Sequence, residues 1–272
     1  MKRIILVGTL VTFILGLMVA SVYAEKKLVI QGSTTVLPIA QKCAEVFMQK
    51  HPEANISVRG GGSGTGIAAL IDGICDIADS SRPIKDKELN KAVERGIDPV
   101  AHVIAMDGIA VIVHPSNPIN KLTLSQIKDI YTGKISNWSE LGGRNQKIVV
   151  ISRDVASGTF ECFKKLVLKG ERVRPDALLQ ASNAAVLSVV KRTKGAIGYV
   201  GLGYLSPEVK DLKIEGVLPS EDTVLKGTYP ISRPLFMYTN GKPKGLAKDF
   251  IDFVLRKEGQ GIVKEQGFVP LK

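Results

Sequence analysis

The sequence predicts an α/β protein of two lobes, in which each lobe is a mixed β-sheet flanked by helices and two strands cross between the lobes. Segments with the patterns of a strand, a polar turn and a helix alternate along the chain, which is typical of α/β folds. Two extended runs, 103–113 and 229–238, lie where the chain would pass between the lobes and return. No Pro/Ser-rich linker or low-complexity tract separates the patterned segments, which favours two closely joined lobes over two independent domains.

Three strand–turn–helix units open the first lobe. The predicted strands are 27–31, 56–59 and 76–79, and the predicted helices are 36–49, a helix that starts at 67, and 87–95. In the first of these helices the apolar residues recur at helical spacing, and the Ser and Thr residues before it suit an N-cap. The stretch 60–66 is predicted to be a glycine loop.

The run 103–113 is about twice as long as a usual strand, and Asp107-Gly108 interrupts its apolar pattern at the centre. We predict that it crosses into the second lobe, where the alternation restarts. The predicted helices there are 124–131, 159–168 and 185–191, and the predicted strands are 147–152 and 196–200.

The run 229–238 contains two prolines and is the predicted return crossing, after which a helix over 246–256 closes the chain. Both crossings are expected to act as hinges. These assignments divide the chain into residues 25–108 and 231–272 for lobe 1 and residues 109–230 for lobe 2.

The first 24 residues have the pattern of a secretory signal peptide. A basic start precedes an apolar stretch over 4–20, and Val22-Tyr23-Ala24 has small residues at the two positions that define a cleavage site. A transmembrane anchor is the alternative, but it needs about 20 apolar residues. No Cys follows the apolar stretch, so a lipid-modified N-terminus is not indicated. We therefore expect residues 1–24 to be removed and the mature protein to reside free in the periplasm.

The charge of the chain favours an anionic partner. Lys and Arg number 37 against 26 Asp and Glu, which leaves a net charge of +11. Aromatic residues make up only 6% with a single Trp, and no run of five Lys or Arg occurs, so nucleic-acid binding is not expected. A membrane surface or a small anion remains.

Neither a metal nor a cofactor is expected. The closely spaced Cys and His ligands of a metal site are not found among Cys43, Cys75, Cys162, His51, His102 and His114. The three cysteines lie in apolar segments and are interpreted as buried small side chains.

Three predicted strand-to-helix turns are rich in hydroxyl groups and glycine: 32–35, 60–66 and 157–159. Free N–H groups at a helix N-terminus bind anions, and Ser and Thr hydroxyls add donors. Ligands of open α/β sheets bind at the carboxyl ends of the strands, where such turns lie. Because two of these turns fall in the first lobe and one in the second, they predict an oxyanion held between the lobes.

Two arginines lie beside these turns, Arg82 after the third strand and Arg153 before the third turn. Guanidinium groups match phosphate geometry with two parallel hydrogen bonds. The alternative for each is a surface ion pair, with Asp79 or Asp154. A protonated phosphate also needs an acceptor, for which the candidates are Asp79, Asp107 and Glu161; sulfate would find such a carboxylate repulsive.

Competing motifs fail on their spacing. A nucleotide phosphate loop needs Gly-Lys-Ser/Thr at its end, but Gly66 is followed by Ile67. The nucleophile elbow is nearly matched around Ser63 but ends in Thr65. A secreted serine hydrolase using Ser63 or Ser157 stays an alternative, although no histidine lies in the candidate turns. We expect a protein that is not an enzyme.

Taken together, these residues resemble the phosphate-binding proteins of bacterial ABC transporters, a group of periplasmic binding proteins whose two lobes close on the ligand. The resemblance runs through the segments 32–35, 61–66, 78–82, 107–113, 129–138, 153–159 and 195–200. It implies a monomeric receptor that captures inorganic phosphate and delivers it to the permease subunits of an ABC transporter in the inner membrane. A receptor for another tetrahedral oxyanion, sulfate, molybdate or tungstate, is the alternative.

The resemblance also implies a set of site residues. Expected donors to phosphate are Ser33, Thr34, Thr35, Ser63, Gly64, Ser157, Gly158 and Thr159, with Arg153 as the charged contact and Asn183 as a further one. The aspartate that accepts the ligand proton in the family corresponds to Ser81 here, followed by Arg82 as an added donor. This departure leaves Asp79, Asp107 or Glu161 as the expected acceptor.

Overall fold

The computed structural model describes residues 26–271. The predicted signal peptide, residues 1–24, lies outside the described residues. Within 26–271 no helix is both long enough and apolar enough to cross a membrane.

Strands and helices alternate as the sequence predicts. The strands are β1 (Lys26–Gly32), β2 (Ala54–Arg59), β3 (Ile77–Ser80), β4 (Pro99–Val113), β5 (Lys121–Leu122), β6 (Val149–Arg153), β7 (Leu178–Gln180), β8 (Ala196–Gly201), β9 (Lys210–Asp211), β10 (Lys213–Ile214) and β11 (Ser232–Asn240). The helices are α1 (Leu37–Lys50), α2 (Ser63–Ile71), α3 (Asp86–Glu94), α4 (Leu124–Thr132), α5 (Gly158–Leu166), α6 (Asn183–Val190), α7 (Glu221–Leu225), α8 (Gly245–Leu255) and α9 (Lys257–Glu265). Short 3₁₀ helices cover Trp138–Leu141 and Leu202–Tyr204.

One sheet runs through both lobes in the strand order β2-β1-β3-β11-β4-β8-β6-β7. Strand β4 changes partner along its length, because residues 99–108 lie against β11 and residues 109–113 pair with β8. We call lobe 1 the side built on β2, β1, β3 and β11, and lobe 2 the side built on β8, β6 and β7. Strand β4 and the return into β11 are the two connections, so the two-lobed fold class is confirmed; the predicted lobe limits stay a prediction.

The parallel strands bring the turns of interest to one edge. Strand β1 is parallel to β2 and β3, and β11 is antiparallel to β3, so lobe 1 is mixed. In lobe 2, β6 is parallel to β7 and β8, while β8 is antiparallel to β4. Because parallel strands end at the same edge, the turns after β1, β3 and β6 face the gap between the lobes.

Each lobe has its own apolar core. In lobe 1 the core includes Ile30 and Phe47, and in lobe 2 the ring of Phe163 on α5 stacks on Tyr199 of β8, with centroids 4.0 Å apart. Burying one such side chain stabilises the fold by roughly 1.5–3 kcal/mol. The stacked pair therefore fixes α5, whose first turn points towards lobe 1.

Helix α2 begins at Ser63, inside the stretch predicted to be a glycine loop. Gly62 has a positive φ of 101°, which turns the chain directly into the helix. A Cβ at Gly66 would lie 2.4 Å from the carbonyl oxygen of Gln31. Glycine is therefore needed there for the close packing of α2 on β1.

Strand β4 differs from its prediction at the centre. The strand continues through Asp107-Gly108, where the sequence pattern indicated an interruption. The apolar pattern breaks because Asp107 is paired with a cation inside the protein, as described below, while the backbone pairing only changes partner.

Candidate anion-binding site between the lobes

The hydroxyl-rich turns of the two lobes meet. The hydroxyl oxygens of Thr35 in lobe 1 and Thr159 in lobe 2 are 2.9 Å apart. The backbone N–H of Gly64 donates to the carbonyl of Ala156 across the same gap at 2.9 Å. The structure thus shows the lobes closed on each other, with residues from both predicted groups in direct contact.

Glycine at position 158 makes this approach possible. A Cβ there would lie 2.3 Å from the hydroxyl oxygen of Ser63 and 2.7 Å from that of Ser81. These distances are far below van der Waals contact, so a larger residue would hold the lobes apart. Ser63, Ser81 and Gly158 therefore lie together at the centre of the gap.

Two of the predicted serines accept backbone hydrogen bonds with their side chains, Ser33 in the turn before α1 and Ser157 as the N-cap of α5. The hydroxyl of Ser33 accepts from the N–H groups of Thr35 and Val36, and that of Ser157 accepts from the N–H of Phe160 at 3.2 Å. These bonds satisfy backbone donors at the starts of α1 and α5. Both serines lie at the site, but their oxygens already accept from the backbone.

Asn183, at the start of α6, connects lobe 2 to the first turn of lobe 1. Its side-chain amide donates to the hydroxyls of Thr34 and Thr35, both at 3.1 Å. The Tyr204 hydroxyl also donates to the carbonyl of Thr34 at 2.5 Å. Asn183 is fully buried, and the structure places it in contact with two of the expected phosphate ligands.

Arg153 is buried without a carboxylate partner. Its side chain donates to the carbonyls of Gln180 and Ala181, each at 3.0 Å, and the residue is only 2% exposed. Within 26–271 its Nη1 atom has no hydrogen-bond partner. Burial lowers the pKa of this guanidinium, because a charge without a counterion is unfavourable inside a protein.

Arg82 is buried too, but it has a carboxylate. Its two terminal nitrogens bind Glu88 at 2.8 and 2.6 Å, and its Nε has no partner among the described residues. Glu88 also accepts from the N–H of Lys85 at the start of α3. The alternative of an ion pair is therefore what the structure shows for Arg82, with Glu88 as the partner in place of Asp79.

A third arginine, Arg233 on β11, was missed by the sequence analysis. Its Nη2 donates to the hydroxyls of Thr35 at 3.3 Å and Thr159 at 3.0 Å, and its Nη1 donates to the carbonyl of Ser81. It is 3% exposed. Ser232-Arg233-Pro234 has neither a glycine nor a helix start, so the only available signal was a cation inside a predicted crossing strand.

The three candidate acceptors lie in different surroundings. Asp107 binds Arg233 through Oδ2 and accepts from the N–H of Leu202 through Oδ1, and burial raises its pKa despite the opposing effect of Arg233. Glu161 forms an ion pair with Lys85 of lobe 1 at 3.0 Å and is partly exposed.

Asp79 is fully buried, and neither carboxyl oxygen has a partner within the described part of the chain. Burial raises its pKa well above the ordinary value. Burial thus favours the protonated form of this carboxyl group, and in that form it is a poor acceptor for a ligand proton.

The histidines that a serine hydrolase would use as a base lie outside the candidate turns. The histidines are engaged elsewhere: His51 stacks on Phe47, His102 contacts the hydroxyl of Thr239, and His114 contacts Ser116. Residues 26–271 contain no cluster of three or more His, Cys, Asp or Glu that could hold a metal. Cys43 and Cys75 are buried as expected, whereas Cys162 is partly exposed and contacts the carbonyl of Ser81.

Two α/β lobes that are joined by crossing strands and meet through hydroxyl-rich turns define a solute-binding protein of the periplasmic binding-protein class. Comparison with known proteins agrees, because the PBP superfamily domain matches residues 20–258. The phosphate-binding protein PstS of Bacillus subtilis is 37% identical over 253 residues, which cover 91% of this chain and 82% of the relative. PstS of Staphylococcus epidermidis is 34% identical over 253 residues, covering 88% and 77% of the two chains.

Solved structures show the same relationship. A substrate-binding protein from Clostridium perfringens with bound phosphate has a TM-score of 0.84 and 37% identity, covering 91% of this chain and all of the other. An ABC-type phosphate transport receptor from Vibrio cholerae has a TM-score of 0.74 and 32% identity, with 90% and 100% covered. The chain belongs to the PstS family of phosphate-binding proteins.

Proposed function

We propose that this protein captures inorganic phosphate between its two lobes and delivers it to the permease of an ABC transporter. The observation that carries the proposal is the buried guanidinium of Arg153. Among the described residues it binds only neutral carbonyls, and one of its donor nitrogens has no partner. A buried cation of this kind is stabilised by an anion. The names of the relatives, phosphate-binding proteins and phosphate transport receptors, give the anion its identity.

The neighbouring groups suit a small oxyanion. Helices α1, α2 and α5 begin at the gap between the lobes, and the positive ends of helix dipoles attract anions. Thr35 and Ser63 offer hydroxyls from lobe 1, and Thr159 offers one from lobe 2. With Gly64, Ser157 and Gly158, which lie at the starts of α2 and α5, they form the proposed binding set around Arg153.

Closure would follow from the shared ligand. Donors from both lobes converge on one anion only when the lobes are together, so binding favours the closed state by the difference in affinity between the two states. The crossing segments near Asp107-Gly108 and before β11 are the proposed hinges, because backbone pairing changes from one lobe to the other there.

A receptor for another tetrahedral oxyanion is the second candidate, and one observation favours it. Phosphate keeps a proton at neutral pH and gains from an ionised acceptor. Asp107, however, is occupied by Arg233 and Glu161 by Lys85, and burial of Asp79 favours its protonated form. An anion without a proton, such as sulfate, has no use for such an acceptor. If phosphate is the ligand, one of these three carboxylates is the proposed acceptor.

The remaining roles follow from the family. The relatives are transport proteins, and we propose that this chain is likewise a receptor without catalytic activity. The predicted signal peptide supports residence in the periplasm, and a monomer is the simplest form for a receptor that closes around its own ligand.

Isothermal titration of the mature chain from Glu25, stripped of ligand, tests the proposal. We expect one-to-one binding of phosphate at pH 7 and little competition from sulfate. Tighter binding of sulfate or molybdate would support the second candidate. Binding of none of the three anions would reject both.

A further inference from the structure

Arg233 joins the two lobes at the hydroxyl groups of the proposed site. The register of the crossing strands places it directly opposite Asp107, and both its Nε and its Nη2 bind the Oδ2 atom of that carboxylate, at 3.0 and 2.8 Å. The same Nη2 also reaches Thr35 of lobe 1 and Thr159 of lobe 2. A single side chain on a crossing strand thus contacts a hydroxyl from each lobe.

The hydrogen bonds around Thr35 determine the direction of its hydroxyl proton. A hydroxyl has two acceptor positions and one donor. Its oxygen receives Nη2 of Arg233 at 3.3 Å and the side-chain nitrogen of Asn183 at 3.1 Å. The orientation of the Asn183 amide follows from its oxygen, which accepts from the N–H of Gly201. Nη2 has only two N–H groups and Asp107 binds one of them, so Thr35 and Thr159 share the second. Thr35 receives this shared N–H together with that of Asn183, which favours donation of its own proton to Thr159.

Thr159 receives that proton. Its oxygen lies 2.9 Å from the hydroxyl oxygen of Thr35 and 3.0 Å from Nη2 of Arg233. The proton of Thr35 and the N–H that Arg233 shares between the two threonines therefore approach both acceptor positions of Thr159. Its own O–H is therefore left as a donor that points away from Arg233 and Thr35.

We propose that Arg233 is a positioning residue of the anion site, which with Asn183 orients the hydroxyls of Thr35 and Thr159 as donors. The inference rests on the proposed function, because a donor hydroxyl is useful only towards an anion. It assigns Arg233 an effect through Thr159 rather than through its charge. Asp107 neutralises the guanidinium, so the pair orients the threonine hydroxyls without adding net charge to the site.

A double-mutant cycle tests this effect. The variant Arg233→Met/Asp107→Asn removes the ion pair without leaving an unpaired charge, and Thr159→Val removes the hydroxyl in either background. In the wild-type background we expect Thr159→Val to weaken phosphate binding about tenfold, the size of one hydrogen bond to a charged group. In the Arg233→Met/Asp107→Asn background we expect Thr159→Val to weaken it less than about threefold, because the hydroxyl is no longer held as a donor.

Two further variants keep the test decisive. Arg95→Met is the control, since Arg95 also has a carboxylate partner, Asp72, but at the opposite end of α2 from the site; it should not change the effect of Thr159→Val. Arg233→Lys keeps the charge but not the planar fork, and it serves if the double variant fails to fold.

The outcomes are distinct. Equal effects of Thr159→Val in all backgrounds, with phosphate still bound by the wild type, would overturn the role of Arg233 and leave the proposed function intact. If the wild-type protein does not bind phosphate, the proposed function is rejected instead. A smaller effect of Thr159→Val that is confined to the Arg233 variants would establish the coupling.

Discussion

The ends of β3 and β6 occupy similar places in the two lobes but differ in which buried ionisable group lacks a partner. At the end of β3, Arg82 is neutralised by Glu88, while the buried carboxyl of Asp79 has no partner within the described chain. At the end of β6, Arg153 is a buried cation that binds only carbonyls. Burial of an arginine therefore does not by itself identify a ligand contact. Both arginines are buried, but Arg153 is the one whose charge is left for an anion to neutralise.

Replacement of Arg153 should have the largest effect on binding. Arg153→Met is expected to weaken phosphate binding about 100-fold, or about 2.7 kcal/mol, because it removes the uncompensated charge and its free donor. Isothermal titration measures this, with Arg95→Met, at the far end of α2, as the control. Unchanged phosphate affinity in Arg153→Met would show that the uncompensated charge of Arg153 does not bind the ligand.

Replacement of Arg82 should instead reduce stability. Arg82→Met leaves Glu88 without its partner and is expected to lower the free energy of unfolding by about 2 kcal/mol, less than for a fully buried pair because the Glu88 side chain is 17% exposed. Chemical denaturation measures the loss. The companion variant Arg82→Met/Glu88→Gln should recover part of it. A fall in phosphate affinity as large as that of Arg153→Met would place Arg82 among the ligand contacts.

Asp79 should make the protein less stable as the pH rises. Its pKa is raised in the folded protein, so the unfolded chain loses this proton at a lower pH than the folded protein does. Stability is therefore lost as the pH increases from about 4 towards the raised value. Asp79→Asn should therefore raise the Tm at pH 7 by about 2–4 °C, and by less at pH 4. The exposed Asp98→Asn is the control for thermal unfolding at both values. A lower Tm for Asp79→Asn at pH 7 would show that the ionised carboxylate is needed.

The surface contact between the lobes should contribute least. Lys85→Ala breaks the ion pair with Glu161, in which both side chains are about one-third exposed, and is expected to weaken phosphate binding only about twofold at low salt. Titrations at low and high ionic strength measure this, and Lys191→Ala, whose partner Glu208 lies in the same lobe, is the control. If Glu161 accepts the ligand proton, Glu161→Gln will weaken binding by far more.

Much of the site could be predicted from local sequence. The hydroxyl turns before α1 and α5 were identified because helix caps and apolar periodicity are encoded by neighbouring residues. The start of α2 was misplaced because the glycines that suggested a loop are needed for packing against β1. The pair of Arg82 and Glu88 had a local signal, since Glu88 lies at the third position of α3, where acidic side chains bind back to the helix start.

The sequence by itself determined the two-lobed α/β fold and the turns that meet between the lobes, because strand, turn and helix patterns depend on residues close along the chain. Only the tertiary structure decided which charges are compensated. Arg233 reaches Asp107 because β11 pairs with β4 across 126 residues of chain, and Arg153 lacks a carboxylate because the nearest backbone of β7 offers only carbonyls. Such partners are set by strand register and burial, which no local pattern contains.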